Sequence, residues 1–178
     1  MSDDGVIRFF SEKDAYGELS NFYPLKKPME LYGMKFATSE HAYQSRKYLQ
    51  PDAPAANVAY ARVIANANTP YESKILANRQ RYGDYNWQVK LQEIMDAHPD
   101  AQLDPAFYDH IFEIMLEVLL AKFTTDEHCR KVLLSTGNSE LIEMSPTDNF
   151  WGKCPDGSGE NHLGRLLMVV REKLRANV

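Results

Sequence analysis

One short run of the chain carries a carboxylate, an amide and an amine at helical spacing. Between Ser39 and Lys47 these groups belong to Glu40, Gln44 and Lys47. A helix turns about 100° per residue, so Gln44 and Lys47 lie within roughly 40° of Glu40 around the axis. A carboxyl group can move protons and an amine can attack a sugar carbon. The spacing therefore predicts a helix with one face that could transfer protons and attack a sugar carbon.

The same spacing is also typical of an ordinary solvent-exposed helix face. Against that alternative, His41, Tyr43 and Tyr48 surround the stripe with rings that combine an apolar body and a polar edge. Glu40 would lie in the first helical turn, where exposed amides favour the anion, so only burial or a bound ligand would raise its pKa. The pattern leaves the protonation state of Glu40 open.

A second polar cluster extends from Ser145 to Gly164 and contains another carboxylate, Asp148, and an indole, Trp151. Asp148 also suits a purely structural role, because Ser145-Pro146-Thr147-Asp148 fits the start of a helix in which the acid caps backbone amides. Trp151 suits either the core or a surface on which a base or sugar stacks. Five of the nine glycines lie between Gly137 and Gly164, where the backbone could approach a ligand closely.

The sequence contains no motif that indicates a metal or cofactor site. The five histidines and two cysteines show neither CxxC nor HExxH spacing, and the glycine-rich stretch lacks the Walker lysine. We therefore expect no metal site and no cofactor.

Length and composition suit one globular unit. The 178 residues are 44% hydrophobic and 25% charged, which predicts a single domain over 1–178. No apolar run reaches the roughly 20 residues of a membrane span and the N-terminus lacks a basic, apolar signal, so we expect a protein of the cytoplasm or nucleus. Cys129 and Cys154 could form one disulfide, but such a location favours free thiols. The net charge of -5 argues against broad nucleic-acid binding and leaves room for a local pocket.

The hydrophobic pattern predicts an α+β fold: a compact, predominantly helical domain with a small β-sheet. Strands are expected at 6–10, on both sides of Gly33 within 29–36, and at 141–144. Helices are expected from Thr38 or Ser39 to about Leu49, at 55–65, 70–81, 107–123, 126–135 and 161–175, with a weakly periodic segment at 85–97.

In order along the chain, these residues resemble the NADAR domain family, which includes the bacterial YbiA-like N-glycosidases. The matching blocks are Leu19-Ser20-Asn21-Phe22-Tyr23, Thr38 to His41 with Gln44 and Lys47, Trp87, Met115 to Phe123, Leu133 to Gly137, Asp148 with Trp151-Gly152, Gly159-Glu160-Asn161, Leu163-Gly164, and Leu167 to Arg171. Two stretches depart from the family pattern. The connection from about Asp96 to Phe107 is longer than usual, and Cys154 stands where a glycine is expected.

The resemblance implies hydrolysis of a C–N bond between a ribose carbon and a nitrogen. Its substrate would be ADP-ribosylated guanine in DNA or RNA, or alternatively a ribosylamine intermediate of riboflavin synthesis. Glu40 and Asp148 would be the acid and base, and Lys47 a candidate nucleophile through a Schiff base. Lys47 could instead pair with Glu40 or a phosphate, and Lys35 is the alternative amine.

The remaining site residues follow from the same resemblance. Ser20 and Asn21 would contact ribose or phosphate, and His41 and Gln44 would form a polar wall. Trp87 and Trp151 would stack on the ligand, while Gly152, Gly159 and Asn161 would bring backbone and an amide close to it. A non-catalytic ADP-ribose reader and a small interaction module are the alternatives from other classes; neither has a chemical use for a paired carboxylate and lysine.

Overall fold

The computed structural model describes residues 5–79 and 85–176, without the side chains of residues 85 to 87. Its strands are β1 (Val6–Phe9), β2 (Met29–Leu31), β3 (Met34–Phe36) and β4 (Glu140–Glu143). Its helices are α1 (Ser39–Arg46), α2 (Ala55–Ala65), α3 (Pro70–Asn78), α4 (Tyr85–Asp96), α5 (Ile111–Thr125), α6 (Glu127–Ser135) and α7 (His162–Ala176). The predicted class, a mostly helical α+β domain with little sheet, is confirmed.

The strands form two separate ribbons. β2 and β3 make the expected antiparallel hairpin, which turns at Gly33 with a φ of 70°. β1 pairs with β4 in parallel, and Phe9 lies opposite Glu143. This second pairing joins opposite ends of the chain, so both strands deliver their C-terminal residues to the same edge.

Helix starts match the sequence better than helix ends. The Thr38 hydroxyl caps α1 by accepting a hydrogen bond from the His41 N–H, as expected. α1 stops at Arg46, however, rather than near Leu49, because the chain continues in tight turns. α3 stops at Asn78 rather than Arg81, because Arg79 adopts a left-handed conformation with a φ of 50°.

Two other segments differ from the expected pattern. The weakly periodic stretch forms a regular helix, α4, and α5 begins at Ile111 rather than at residue 107 because a short 3-10 turn precedes it. Gly137 ends the α6 segment with a φ of 58°, as predicted.

The position of α1 decides how its polar stripe is used. Every residue from Ser39 to Ser45 is buried, because α1 packs against α2, α3 and α5. Glu40, Gln44 and Lys47 are only 6%, 3% and 4% exposed. The alternative of a solvated helix face is therefore wrong. The helix holds polar groups inside the molecule, where they need partners or a ligand.

The structure also bears on the two cysteines and on the question of a membrane span. Cys129 and Cys154 are both free, and Cys129 is buried in the core. Among the described helices, none has the length and apolar character needed to cross a bilayer.

Candidate functional site

A cavity of about 590 Å³ opens where the C-terminal ends of β1 and β4 face α1. Parallel strands place the residues that follow them at one edge, so the segments after Phe9 and after Glu143 both reach the cavity. Seven of the residues expected to form the site line this cavity: Ser20, Asn21, Glu40, Gln44, Lys47, Asp148 and Trp151.

Glu40 is held in the cavity wall by its neighbour one helical turn away. Its Oε1 accepts a hydrogen bond from the Gln44 Nε2 at 2.8 Å. Burial raises the pKa of Glu40, an effect opposed by the bond from Gln44 and by Lys74 and Lys47. Glu40 is thus a carboxyl that can exchange a proton more readily than an exposed glutamate.

Lys47 presents its amine to the same cavity. Its Nζ donates to the Asn78 Oδ1 at 2.6 Å and lies 5.9 Å from the centre of the Tyr43 ring. Burial lowers the pKa of Lys47 to about 8, although Glu40 acts in the opposite direction. At neutral pH a larger fraction of this amine is therefore unprotonated than in an exposed lysine, as a nucleophile requires.

Asp148 lies in a turn after β4 rather than at the start of a helix. Its Oδ1 accepts hydrogen bonds from the backbone N–H groups of Phe150 and Trp151, at 3.1 and 2.9 Å. The Ser145 hydroxyl in turn accepts from the Asp148 N–H at 2.9 Å. The capping bonds expected from the sequence exist, but no helix follows them. Asp148 also lines the cavity, so these backbone bonds do not remove it from the site, and its chemical role stays a prediction.

Aromatic rings form much of the wall. Trp151 meets Tyr43 edge to face, with centroids 5.8 Å apart. Tyr71 and Tyr108 line the cavity and are 52% and 58% exposed, which places them on its solvent side. Such rings offer stacking surfaces for a base or a sugar.

Two buried amides in the wall have unused acceptor atoms. The Asn21 Oδ1 and the Gln44 Oε1 have no hydrogen-bond partner within the described structure. The buried Lys122 holds the segment that carries Asn21, because its amine donates to the Ser20 carbonyl at 2.8 Å. Both residues line the cavity, but these two oxygens are themselves closed off from solvent, so a ligand would reach them only after a rotation of the amide.

Two residues that the sequence suggested for the site, His41 and Lys35, do not line the cavity. His41 does not line the cavity: its ring bonds to the Thr38 hydroxyl at 2.8 Å and to the Ala67 carbonyl at 3.1 Å. At about 100° from Glu40 around α1, His41 points to a different side of the helix. Lys35 is exposed on the hairpin and pairs with Glu30 at 3.4 Å, so it is no alternative amine for this cavity.

Gly152, Gly159 and Asn161 support the cavity from behind instead of lining it. The Asn161 Oδ1 accepts from the Glu143 N–H at 3.0 Å and its Nδ2 donates to the Leu141 carbonyl at 2.9 Å, which fixes the end of β4. A Cβ on Gly152 would lie 2.8 Å from the Glu143 carbonyl oxygen. The side chain of Trp87 lies outside the described residues.

The structure adds residues that sequence reasoning did not select. Glu143, Lys74, Tyr71 and Tyr108 all line the cavity. Glu143 was missed because it ends a short apolar strand, where a glutamate usually faces solvent. The parallel pairing of β1 and β4 would have been the signal.

The described residues contain no group of three or more histidine, cysteine, aspartate or glutamate side chains arranged to hold a metal ion. The chemical equipment of the cavity consists of carboxyl groups, two lysine amines and aromatic rings. That set can bind a sugar, donate and accept protons, and form a covalent link through an amine.

Comparisons with known proteins find relatives over nearly the whole chain. The chain is 36% identical to an N-glycosidase of Nostoc punctiforme over 96% of its own length and 93% of that protein. It is 31% identical to a chloroplastic riboflavin biosynthesis protein of Zea mays, PYRR, over 99% of its own length but only 26% of that protein. The NMR structure of Escherichia coli YbiA superposes with a TM-score of 0.73 at 28% identity, covering 99% of this chain and 89% of that one. The family model of the NADAR domain matches residues 8–175, so the chain belongs to the NADAR domain family.

Proposed function

We propose that this protein is an N-glycosidase that removes ADP-ribose from ADP-ribosylated guanine in nucleic acid. The general activity is supported by relatives that are named N-glycosidases over almost their full length. The substrate and the mechanism are our own inference from the cavity.

The observation that carries the proposal is the meeting of a desolvated amine with carboxyl groups in one cavity. Lys47, Glu40 and Asp148 come from two distant segments and line the same space. A protein that only reads ADP-ribose needs stacking and phosphate contacts. It has no use for a buried lysine whose pKa burial lowers to about 8.

These groups match the demands of the reaction. A sugar joined to an exocyclic amine can open its ring. The nitrogen's electron pair forms a C=N bond at C1, the bond from C1 to the ring oxygen breaks, and the ring oxygen takes the proton of Glu40, whose pKa burial raises. The Lys47 amine then adds to C1, the C–N bond to guanine breaks, and a lysine Schiff base remains. Water adds to C1 of that Schiff base and releases the sugar and the free amine. Glu40, which lines the same cavity as Lys47, then takes a proton from the attacking amine, and a carboxyl of the cavity gives the departing nitrogen its proton. The proton that water loses on adding to C1 returns to these carboxyls, and Asp148 stabilises positive charge near C1.

The size and mouth of the cavity support a large substrate. A volume of about 590 Å³ is ample for a nucleotide-sized ligand. The half-exposed rings of Tyr71 and Tyr108 offer stacking surfaces for a base that remains at the entrance.

The test is the release of ADP-ribose, measured by mass spectrometry, from an oligonucleotide that carries it on guanine. Wild type should release ADP-ribose and restore unmodified guanine, while Glu40→Gln should bind without release. Binding of ADP-ribose by wild type without any release would contradict the proposal and favour a reader.

A second candidate function is hydrolysis of ribosylamine intermediates of riboflavin synthesis. The observation favouring it is the similarity to proteins named for riboflavin biosynthesis in Zea mays and Vibrio vulnificus. The two functions separate when a phosphorylated ribosylamine and the modified oligonucleotide are compared under the same conditions. A kcat/KM at least tenfold higher for the ribosylamine would favour the second candidate.

A further inference from the structure

Glu143 is a third carboxyl of the cavity that has no assigned task. It ends β4, and its backbone is fixed on both sides: its N–H donates to Asn161 at 3.0 Å, and its carbonyl accepts from the Lys153 N–H at 2.7 Å. Its side chain lines the cavity. Among the residues described, no hydrogen bond or ion pair reaches its carboxyl. The backbone of Glu143 is therefore held in place, while its carboxyl is left open toward a ligand.

Of the other three carboxyls in the cavity, that of Glu12 accepts from the neighbouring Ser11 hydroxyl at 3.4 Å, and those of Asp148 and Glu40 are less suited to give up a proton to a leaving group. Asp148 accepts two backbone N–H bonds on Oδ1, which hold it as an acceptor. Glu40 accepts from Gln44 and lines the same cavity as Lys47, whose charge acts on it, so we assign it the exchange of protons with that amine. The geometry leaves the proton-donor task to Glu143.

The groups around Glu143 favour its protonated form. Asp148 from its own loop and Glu40 from α1 are like charges that oppose ionisation, and only Lys74 from α3 acts in the opposite direction. Glu12, after β1, adds another carboxyl to the cavity, and Lys47 another amine. With burial as the largest cause, the pKa of Glu143 is raised to about 8.

We propose that Glu143 is the general acid that protonates the departing nitrogen when the ribosyl C–N bond breaks. The inference rests on the proposed function and adds a residue to it. When the bond breaks, its electron pair stays on nitrogen, which takes the carboxyl proton of Glu143. The Glu143 carboxylate recovers a proton during the addition of water to C1, relayed from the water through Glu40. The cycle consumes one water and restores both carboxyls.

The first experiment is a pH–rate profile under single-turnover conditions. Glu143→Gln should lower kcat at least 100-fold, the scale of general acid catalysis, with ADP-ribose affinity within threefold of wild type. Glu143→Asp keeps a carboxyl and should retain intermediate activity. The matched control is Glu140→Gln, an exposed glutamate on the same strand, which should behave as wild type.

The profile separates catalysis from structural support. Wild-type kcat should fall as pH rises above about 8, because the acid must be protonated to act. The small residual rate of Glu143→Gln should lack this fall. A kcat within threefold of wild type with the same alkaline fall would overturn the role of Glu143 and leave the glycosidase proposal intact. Absence of wild-type release would overturn the proposed function instead.

A second measurement needs no substrate and so tests Glu143 even if the substrate is wrong. Infrared difference spectra should show a protonated carboxylic acid carbonyl that titrates near pH 8 in wild type and in Glu140→Gln. That band should vanish in Glu143→Gln. Its persistence in Glu143→Gln would show that another group holds the proton and would overturn the proposal.

Discussion

At the scale of single residues, burial changes what ordinary side chains can do. Glu40 and Lys47 are separated by two helical turns and are both removed from water by the elements around α1. Burial raises the pKa of the acid and lowers that of the amine, so the two approach each other. An acid and an amine with converging pKa values can exchange protons at neutral pH.

Glu40→Gln should reduce kcat at least 100-fold while ADP-ribose affinity stays within a few-fold. A glutamine keeps the size of the side chain and can still accept from Gln44, but it cannot take a proton. Single-turnover release and calorimetric binding measure the two effects separately. Full activity in this variant would remove Glu40 from the chemistry.

Lys47→Met should abolish release, because the methionine fills the space but supplies no amine. Lys35→Met is the matched control: this exposed lysine lies on the hairpin and should be dispensable. Both variants are assayed with the same oligonucleotide after a check of folding by circular dichroism. Comparable losses of activity in the two variants would contradict a specific role of Lys47.

At the scale of elements, the turn after β4 positions the carboxyls through close backbone contacts. A Cβ at position 152 would meet the Glu143 carbonyl at 2.8 Å and the Ser145 Cβ at 2.9 Å. Both contacts are shorter than a carbon side chain tolerates without movement. The end of β4, and with it Glu143, therefore depends on a glycine at this position.

Gly152→Ala should cost roughly 2–3 kcal/mol of unfolding free energy by overpacking, and should also lower kcat. Gly157→Ala is the control, because a Cβ there meets open space and only the positive φ of 85° is unfavourable. It should cost roughly 1 kcal/mol and leave kcat unchanged. Chemical denaturation and turnover measure both effects. Equal kcat values in the two variants would contradict the positioning role of Gly152.

Local signals in the sequence predicted most elements correctly. The Thr38 cap, the hairpin turn at Gly33 and the stop at Gly137 each depend on one residue and its neighbours, and all three are confirmed. Helix ends were less accurate. The left-handed conformation of Arg79 is set by tertiary contacts, since its guanidinium donates to the His98 and Ala101 carbonyls.

The site was predicted in part for the same reason. The stripe of Glu40, Gln44 and Lys47 follows from helical period alone, but its burial depends on three other helices. Glu143 enters the site only through the parallel pairing of β1 with β4, which joins distant segments. His41 was placed in the wall although its angle around α1 directs it to Thr38 and Ala67.

At the scale of the whole molecule, charge limits how nucleic acid could be held. The chain carries a net charge of -5, and the cations that line the described cavity are Lys47 and Lys74. Lys74 is exposed and available to a phosphate at the mouth. The substrate would thus be recognised mainly by the modified nucleotide rather than by the flanking backbone.

The affinity for a modified oligonucleotide should therefore depend only weakly on salt. One phosphate contact on single-stranded nucleic acid gives a slope of about -0.7 in a plot of log affinity against log salt. Lys74→Gln should flatten that slope. A steep slope, equivalent to several phosphate contacts, would show that the protein grips the backbone through a surface outside this cavity.

Stability should respond to pH through Glu143. Its native pKa of about 8 lies above the ordinary value of 4.5, so its stabilising contribution is complete below pH 4.5 and is lost as pH rises toward 8. The unfolding free energy of Glu143→Gln minus that of wild type should therefore increase by roughly 1–2 kcal/mol from pH 5 to pH 8.5, after allowance for solvent in the cavity. Urea denaturation of both proteins at the two pH values measures this; an unchanged difference would contradict the burial of this carboxyl.

Reductive trapping during turnover tests most directly whether Lys47 forms a Schiff base with the sugar. Wild type is mixed with the modified oligonucleotide and cyanoborohydride, digested, and mapped by mass spectrometry. An ADP-ribosyl adduct should form on the peptide containing Lys47 and on no other lysine, with loss of activity in step with adduct formation. Full-rate release without an adduct on Lys47, or an adduct on Lys74 instead, would contradict a Schiff base at Lys47.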